Sequence, residues 1–264
     1  MQTNEQLKSI VKEKYGDIAK RSSQRCGCSC DCSNDFTYFN EDYTQQKGYY
    51  AEADLGLGCG IPTQHAQIKQ GDIVLDLGSG AGNDVFVVRS LVGDSGKVIG
   101  VDMTEEMIEK ARQNQAKLGY QNVEFRFGDI EELPVADKEV DVIVSNCVLN
   151  LVPDKAKAFK EMYRVLKPGG HFCVSDIVLN GELPERLKSV AEMYAGCVTG
   201  AIQKNDYLEM LQAEGFAELT VKEDRQIVLS DEIFEKYLTD EEIQKYRNTT
   251  TRIDSIIVYG KKPS

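Results

Sequence analysis

A glycine-rich turn follows the first apolar strand pattern in this chain. Residues 74–82 read VLDLGSGAG, with an acid at Asp76 and glycines at Gly78, Gly80 and Gly82. Glycine adopts positive φ and lets a ligand approach the backbone closely, because it has no Cβ. The helix predicted to begin after the turn offers free N–H groups to a polar or anionic part of that ligand. These residues therefore predict a strand, a tight turn and a helix start that bind a nucleotide-like ligand.

The glycine spacing separates two classes of nucleotide ligand. A dinucleotide-binding turn reads G-x-G-x-x-G, whereas Asn83 stands here where the last glycine would fall. A second predicted strand, residues 97–101, leads into Asp102, at a distance from the turn that suits an acid contacting a ribose diol. An ordinary βα turn in some other α/β protein is the alternative interpretation.

Four further features extend the glycine turn into a longer pattern. They are Asp76 before the glycines, Asp102 after the next strand, GDI at residues 128–130 and LKPGG at residues 166–170. In this order they resemble the class I S-adenosylmethionine (SAM) methyltransferases. The resemblance implies SAM as the cofactor.

The predicted cofactor residues follow the carboxyl ends of several strands. Open α/β sheets bind ligands at that edge, so the glycine turn, Asp102, Asp129 and Asn146 are expected to face one crevice. With SAM bound, Asp102 would accept the ribose hydroxyls and Asp129 the adenine amino group. Met103 and Ile130 would lie on the two faces of the adenine ring. An acid that only shapes a turn is the alternative for Asp129.

Eight cysteines are the second chemical feature of the chain. In a cytosolic protein of this size they are expected to be reduced, so metal binding or thiol chemistry explains a cluster better than disulfides. The sequence has two histidines, His65 and His171, which favours an all-thiolate site over a mixed site. Four of the cysteines alternate in a predicted loop, at Cys26, Cys28, Cys30 and Cys32.

Three other cysteines are expected to converge where a transferable methyl group would point. Cys147 comes directly after the fourth predicted strand, and Cys59 and Cys197 lie in glycine-containing loops outside the sheet. Taken one at a time, a buried structural cysteine is the better interpretation of each. That interpretation is the one chosen for Cys173, in mid-strand.

The segments around these three cysteines resemble the arsenite SAM methyltransferases. The similar motifs are LGLGCGIPT around Cys59, SNCVLNLVPDK around Cys147, YAGCVTGA around Cys197 and KYGDIAKRSS before the cysteine run. The resemblance covers roughly residues 11–216 and implies that Cys59, Cys147 and Cys197 hold trivalent arsenic for methylation by SAM. It also implies that an N-terminal cysteine exchanges with Cys59 during turnover, and it leaves open which of the four alternating cysteines this is. Many family members have a longer C-terminal region.

Thiolates and trivalent arsenic are a chemical match. Soft ligands select a soft centre over the harder metals that prefer histidine and carboxylate. Three thiolates leave the arsenic lone pair free to attack a methyl group in line, and no general base is required because this nucleophile has no proton to lose. The site would contribute mainly orientation and dehydration. Arsenic is expected to arrive as a thiol complex, with thioredoxin or glutathione as the reductant.

Two other functions are open on the residues alone. A SAM methyltransferase of a small organic acceptor would have structural or zinc-binding cysteines and a base such as His65, Asp176 or a tyrosine. A non-enzymatic arsenic- or metal-binding protein would use residues 26–32, on a methyltransferase fold that no longer uses SAM.

Strand and helix patterns alternate along the part of the chain that carries these residues, which indicates a doubly wound, Rossmann-like α/β sheet. The predicted strands are residues 74–77, 97–101, 123–127, 140–145, 171–176, 219–229 and 252–261. The predicted helices are residues 6–21, 83–91, 105–118 and 156–166. Residues 231–248 are predicted to be a charged, helical and solvated connection.

The predicted organisation has two regions. Residues 1–70 hold the N-terminal helix, the cysteine-rich loop and a substrate-loop segment. Residues 71–264 form the SAM-binding methyltransferase domain. Within it, residues 177–215 are predicted to be a helical insertion that binds arsenic through Cys197.

Composition limits the classes of partner. The chain has 264 residues and a formal net charge of -12, which argues against nucleic acid, because phosphate binding needs clustered Lys and Arg. No apolar run approaches the ~20 residues of a membrane span, and the first residues lack the apolar core of a signal peptide. A cytoplasmic monomer with neither a nucleic-acid nor a membrane partner is expected.

Overall fold

A mixed β-sheet organises the structure, a computed structural model that describes residues 3–22, 41–188, 200–229 and 231–264. Its strands in these ranges are β1 (Ile73–Leu77), β2 (Lys97–Asp102), β3 (Val123–Phe127), β4 (Val140–Asn146), β5 (Leu166–Asn180), β6 (Ala217–Ile227) and β7 (Arg252–Lys261). Their order across the sheet is β3-β2-β1-β4-β5-β7-β6. Strands β1 to β5 pair in parallel, and β7 runs antiparallel to β5 and β6. The predicted doubly wound sheet is confirmed.

Helices cover both faces of this sheet. Those in the described ranges are α1 (Asn4–Ser22), α2 (Asn83–Val92), α3 (Glu105–Leu118), α4 (Lys155–Val165), α5 (Glu185–Lys188), α6 (Lys204–Ala213), α7 (Asp231–Tyr237) and α8 (Asp240–Arg247). Short 3-10 turns lie at Pro62–Gln64 and Leu149–Leu151. None of the helices in the described ranges combines the length and the apolar character needed to cross a membrane.

Strand β1 shows why the parallel strands are apolar throughout. Leu75 and Leu77 point to one side of the sheet, into a cluster that includes Phe159 of α4. Val74 belongs to the cluster on the other side, with Phe86 of α2. Because side chains alternate along a strand and both faces are covered by helices, the four residues of β1 from Val74 to Leu77 are all buried.

Strand β5 is longer than the sequence predicted. The prediction ended it at Asp176 and began the insertion at Ile177, but β5 continues to Asn180. The continuation pairs with β7, from Ile177 opposite Ser255 to Asn180 opposite Arg252. The predicted end of the strand was wrong because the antiparallel partners that extend β5 lie 72 to 78 residues away in the chain.

The predicted solvated connection at residues 231–248 is helical, but it is solvated on its charged side only. Most of its polar and charged side chains are exposed, whereas Phe234, Leu238 and Ile243 are buried. These three share a hydrophobic cluster with Cys59 and Cys147. The prediction missed the buried side because few apolar residues stand among many charged ones.

Helix α1 docks beside α3. Gly16 allows this close approach, because a Cβ at Gly16 would lie 3.0 Å from the carboxylate of Glu106. Lys20 of α1 pairs with the same carboxylate at 2.8 Å. The predicted N-terminal helix is therefore confirmed as an element that packs on the main sheet layer.

Candidate functional site

A cavity opens at the carboxyl ends of β1, β2 and β4, where the strand order reverses. Its empty volume is about 1080 Å³, including the part that opens to solvent. The predicted cofactor residues that line it are Asp76, Gly78, Gly80, Asp102, Met103, Asp129, Ile130 and Asn146. Of the predicted arsenic ligands, Cys147 lines it as well. These residues, which come from separate segments of the chain, therefore line one cavity.

The three glycines of the turn differ in what surrounds them. All have positive φ, and a Cβ on Gly78 would lie 2.4 Å from Val148. A Cβ on Gly80 would meet only the sulfur of Met107, at 4.0 Å, and would project into the cavity. Gly82 is outside the cavity lining, and a Cβ there would lie 2.9 Å from the ring of Phe86. Gly80 is therefore the glycine that keeps space for a ligand.

Two buried polar atoms at the turn lack a partner. Ser79 Oγ and Asn83 Oδ1 make no hydrogen bond to any described residue, and both side chains line the cavity. Buried polar atoms almost always have a partner. A polar ligand in the cavity would satisfy both atoms.

Asp102 is held by backbone donors. Its Oδ2 accepts the N–H of Gly80 at 3.0 Å, and its Oδ1 accepts the N–H of Thr104 at 2.8 Å. Burial raises the pKa of Asp102, and these hydrogen bonds oppose the rise. Asp102 also lines the cavity, so its carboxylate is fixed where a bound diol would meet it.

The cavity wall includes a buried carboxyl group that the sequence analysis did not predict, that of Asp84. Burial raises the pKa of Asp84 to about 6, although hydrogen bonds from Tyr43 and Asn146 oppose the rise. Burial and the neighbouring charges of Asp84 and Asp102 raise the pKa of Asp76 well above its ordinary value. Carboxylates crowded in this way favour a cationic ligand, because a nearby positive charge stabilises their ionised forms.

Helix α1 closes one side of the cavity. Lys8 Nζ lies 2.6 Å from Asp129 Oδ2 and 2.6 Å from Glu131 Oε2. Burial would raise the pKa of Asp129, but the hydrogen bond from Lys8 and the N–H of Glu131 lower it overall. Asp129, which the sequence predicted to contact adenine, is thus paired with α1 as well as facing the cavity.

Cys147 has an unusual backbone conformation. Its φ is +60°, in the left-handed region. Non-glycine residues in that region are strained by roughly 1–3 kcal/mol and concentrate at functional sites. The N–H of Cys147 donates to the carbonyl of Ser175 at 2.8 Å, and the side chain is buried. The turn after β4 therefore sets this thiol at the cavity wall.

Cys59 lies behind the cavity and is fixed through its main chain. Its N–H donates to Asn146 Oδ1 at 3.0 Å, and its carbonyl accepts the hydroxyl of Ser255 at 2.6 Å. The thiol is buried, 3.4 Å from Ser175 Oγ. Cys59 and Cys147 belong to the same buried cluster. Of the two predicted arsenic ligands in the described ranges, Cys147 lines the cavity and Cys59 does not, although both belong to one buried cluster.

Asn146 joins this loop to the cofactor side. Its Nδ2 donates to the carbonyl of Gly60 at 2.8 Å and lies 2.7 Å from the hydroxyl of Tyr43. The Tyr43 hydroxyl in turn donates to Asp84 Oδ1 at 2.9 Å. The side-chain amide predicted to contact the cofactor is therefore engaged in holding the Cys59 loop, although Asn146 also lines the cavity.

Sequence reasoning missed Tyr43, Asp84 and Ser175. Asp84 had a signal, since it lies in the first turn of the helix after the glycines, where acids are typical. Tyr43 and Ser175 had none, because their contacts join residues 41 and 116 positions apart in the chain. Spacing in the sequence does not report such contacts.

Several predicted residues lie outside the described part of the chain. These are the third predicted arsenic ligand, Cys197, and the alternating Cys26, Cys28, Cys30 and Cys32. Within the described ranges, no three His, Cys, Asp or Glu side chains are grouped closely enough to hold a metal ion. A three-thiolate site therefore stays a prediction.

The residues proposed for the alternative reactions are placed elsewhere. His65 is outside the cavity lining and pairs with Glu223 at 2.7 Å. Asp176 is also outside the lining, where its carboxylate accepts the hydroxyl of Tyr207 at 3.2 Å. Cys173 is fully buried, and burial raises the pKa of its thiol to about 12, in agreement with a structural role. His65 and Asp176 therefore do not face the cavity, whereas two tyrosines, Tyr15 and Tyr43, line it.

Comparison with known families and proteins adds an independent line of evidence. Residues 68–215 match the family described as a methyltransferase domain. The arsenite methyltransferase of Halobacterium salinarum is 43% identical over 86% of this chain and 62% of its own length. That of Aquipseudomonas alcaligenes is 36% identical over 87% of this chain and 68% of its own length. The chain spans about three fifths of the length of the first of these relatives.

Solved structures give the same result. The crystal structure of an arsenic(III) S-adenosylmethionine methyltransferase from Chlamydomonas reinhardtii superposes with a TM-score of 0.65 and 35% identity, over 78% of this chain and 67% of that one. A phosphoethanolamine N-methyltransferase of Haemonchus contortus, solved with S-adenosyl-L-methionine, has a TM-score of 0.61 at 20% identity over 78% of this chain and 54% of that one, and shows likeness of fold alone.

Proposed function

This chain belongs to the arsenite methyltransferases, and from that premise we propose that it transfers the methyl group of SAM to trivalent arsenic held by cysteine thiolates. One observation carries the proposal. Cys147, in a strained left-handed conformation, lines the same cavity as the glycine turn and Asp102. A thiol is thus placed within the space that fits a nucleoside ligand.

The cofactor half of the cavity fits SAM. Gly80 leaves room for a ligand, Ser79 and Asn83 offer unpaired polar atoms, and Asp102 presents a fixed carboxylate for ribose hydroxyls. The buried acids Asp76 and Asp84 favour its positive charge. When bound, SAM supplies an electrophilic methyl group. Gly80 and Asp102 would hold its nucleoside part, in a cavity that Cys147 also lines.

The arsenic half rests on Cys59 and Cys147, which share one buried cluster. Their thiolates would hold the arsenic, and burial would keep water from competing for it. The resemblance adds Cys197 as the third ligand and one of Cys26, Cys28, Cys30 and Cys32 as a transfer partner. Thiolate ligands select soft arsenic over harder cations. Two of the bases considered for an organic acceptor, His65 and Asp176, lie outside the cavity lining, and trivalent arsenic needs no base because this nucleophile has no proton to lose.

The cellular setting follows from thiol chemistry. Thiolate ligands must be reduced to bind arsenic, so we place the reaction in the cytoplasm, with thioredoxin or glutathione as the reductant and a thiol complex of arsenic as the substrate form. We propose that the protein acts as a monomer.

Methyl transfer from labelled SAM to arsenite, with glutathione or thioredoxin present, tests the proposal. Wild type should form methylated arsenic, whereas Cys59→Ala and Cys147→Ala should lose at least ~99% of this activity while retaining SAM binding. Cys173→Ala is the matched control, since it removes a buried thiol outside the cavity. No arsenic product from a wild type that binds SAM would favour an organic acceptor instead.

A further inference from the structure

Ser175 contacts both of the described arsenic-ligand candidates. Its Oγ lies 3.4 Å from the sulfur of Cys59, and its carbonyl accepts the N–H of Cys147 at 2.8 Å. We infer that Ser175 is a positioning residue that sets the separation and orientation of the two thiolates, an inference that rests on the proposed function.

The hydroxyl of Ser175 can hold the sulfur of Cys59 in one place. In the contact between sulfur and oxygen, either atom can donate. A sulfur bound to arsenic carries no proton and can only accept a hydrogen bond, so Ser175 would then be the donor. The contact can therefore persist when Cys59 binds arsenic.

The surrounding chain leaves this hydroxyl little freedom. A Cβ at Gly60 would lie 2.4 Å from Ser175 Oγ, so the loop carrying Cys59 packs directly on the hydroxyl. Ser175 itself is 1% exposed. The Cys59 main chain is already fixed by Asn146 and Ser255. Ser175 therefore acts on the remaining freedom of Cys59, the rotation that aims its sulfur.

The carbonyl of Ser175 positions the second cysteine through its backbone N–H. Strands β4 and β5 pair in parallel up to Asn146 opposite Ser175. At the next residue the chain leaves the strand with φ at +60°, while the N–H of Cys147 stays bonded to Ser175. This hydrogen bond offsets part of the strain of the left-handed conformation. Ser175, a single residue of β5, thus positions both Cys59 and Cys147 relative to the sheet.

A double-mutant cycle on arsenite binding tests whether the hydroxyl acts through Cys59. The background is the full chain with Cys26, Cys28, Cys30 and Cys32 changed to serine, so that the N-terminal thiols do not mask the result. In that background Ser175→Ala should weaken arsenite binding about tenfold, the size expected from losing a hydrogen bond. Combined with Cys59→Ala, it should produce no further loss. SAM affinity should stay within about twofold in both variants.

Ser145→Ala is the matched control. Ser145 is a serine of β4 that is also 1% exposed, and its hydroxyl donates to the carbonyl of Leu77 at 3.3 Å rather than to a cysteine. It should leave arsenite affinity unchanged. An equal loss from Ser175→Ala with and without Cys59, or a parallel loss of SAM affinity, would show a general packing role and overturn the inference. If wild type binds SAM but neither binds nor methylates arsenite, the proposed function fails and the inference fails with it.

Discussion

At the scale of single residues, the glycines of the turn are required for different reasons. Gly78 makes room for Val148, and Gly82 makes room for Phe86, so a side chain at either position would disturb protein packing. At Gly80 the nearest atom to an added Cβ is 4.0 Å away, and the added atom would occupy the ligand cavity. A substitution at Gly80 therefore tests contact with the ligand without disturbing protein packing.

We expect Gly80→Ala to weaken SAM binding at least tenfold, because the new methyl group occupies cavity space. Its positive φ adds a stability cost of about 1–2 kcal/mol. Isothermal titration calorimetry with SAM gives the affinity, and chemical denaturation gives the free energy of unfolding.

Gly119→Ala controls for the backbone cost. Gly119 has φ at +69° with nothing within 4 Å of an added Cβ, and it lies outside the cavity lining. It should lose similar stability while SAM affinity is unchanged. Equal SAM affinities for Gly80→Ala and wild type would mean that the ligand does not approach Gly80.

At the scale of elements, helix α1 forms part of the wall of the candidate cofactor cavity. Lys8, Val11 and Tyr15 line the cavity from one side of the helix. Lys8 ties the helix to the β3–β4 segment through Asp129 and Glu131. These ion pairs therefore hold α1 over one side of the cavity.

Lys8→Ala should speed SAM dissociation about fivefold, because a half-buried ion pair worth about 1 kcal/mol no longer holds α1 over the cavity. Dissociation can be followed by chasing labelled SAM with an excess of unlabelled ligand. Lys20→Ala breaks the more exposed pair between the same helix and Glu106 and should leave the rate unchanged. The same rate for Lys8→Ala and wild type would contradict a covering role for α1.

The short helices α7 and α8 form the outer layer over the thiol side. Phe234 packs against Tyr246 with ring centroids 5.3 Å apart, and both contact the cluster that holds Cys59 and Cys147. The sequence of these helices is mostly charged, so the sequence analysis did not predict that they cover buried residues. The segment therefore contributes to the burial of the candidate arsenic ligands.

Phe234→Ala should lower the free energy of unfolding by about 3–5 kcal/mol, as expected for removing a buried aromatic side chain. A solvated connection would lose less than about 0.5 kcal/mol. Urea denaturation measures the difference. Val228→Ala, at a side chain that is 80% exposed, is the apolar control and should have little effect. A small loss for Phe234→Ala would restore the solvated interpretation.

At the scale of the whole molecule, buried acids make stability depend on pH. Burial raises the pKa of Asp176 to about 7 and that of Asp84 to about 6. Both carboxyls are protonated in the folded protein at pH values where they would be ionised in the unfolded chain. The folded state thus binds more protons between about pH 4 and pH 7, so the free energy of unfolding falls as the pH rises through that window.

We therefore expect the melting temperature of the ligand-free protein to fall from pH 5 to pH 7, as measured by scanning calorimetry. Asp176→Asn should flatten the profile between pH 6 and pH 7, since it removes the group that titrates there. Lys155 and Tyr207 face Asp176 and oppose its rise in pKa, and both remain in the variant. Glu124, with its pKa lowered to about 2, titrates below the window. A melting temperature that rises from pH 5 to pH 7 would contradict this account.

The sequence by itself determined the parallel half of the sheet and predicted where the candidate cofactor cavity lies. Apolar strands, helix periodicity and the glycine turn are local signals, and eight of the nine predicted cofactor residues line the cavity at the edge to which the topology brings the strand ends. Residues such as Gly80 and Asp102 were found because their backbone geometry requires a particular residue type at a particular spacing. The arsenic ligands came from motifs around the cysteines, and Cys197 stays a prediction.

Only the tertiary structure decided how the two halves of the site are joined. The contacts of Ser175 with Cys59, of Tyr43 with Asp84 and of Lys8 with Asp129 connect residues 116, 41 and 121 positions apart. The extension of β5 and the burial of α7 and α8 depend in the same way on distant partners. Local patterns encode which face of an element is apolar or which turn it can form. They do not encode which distant side chain arrives opposite it, because that is set by the packing of the whole chain.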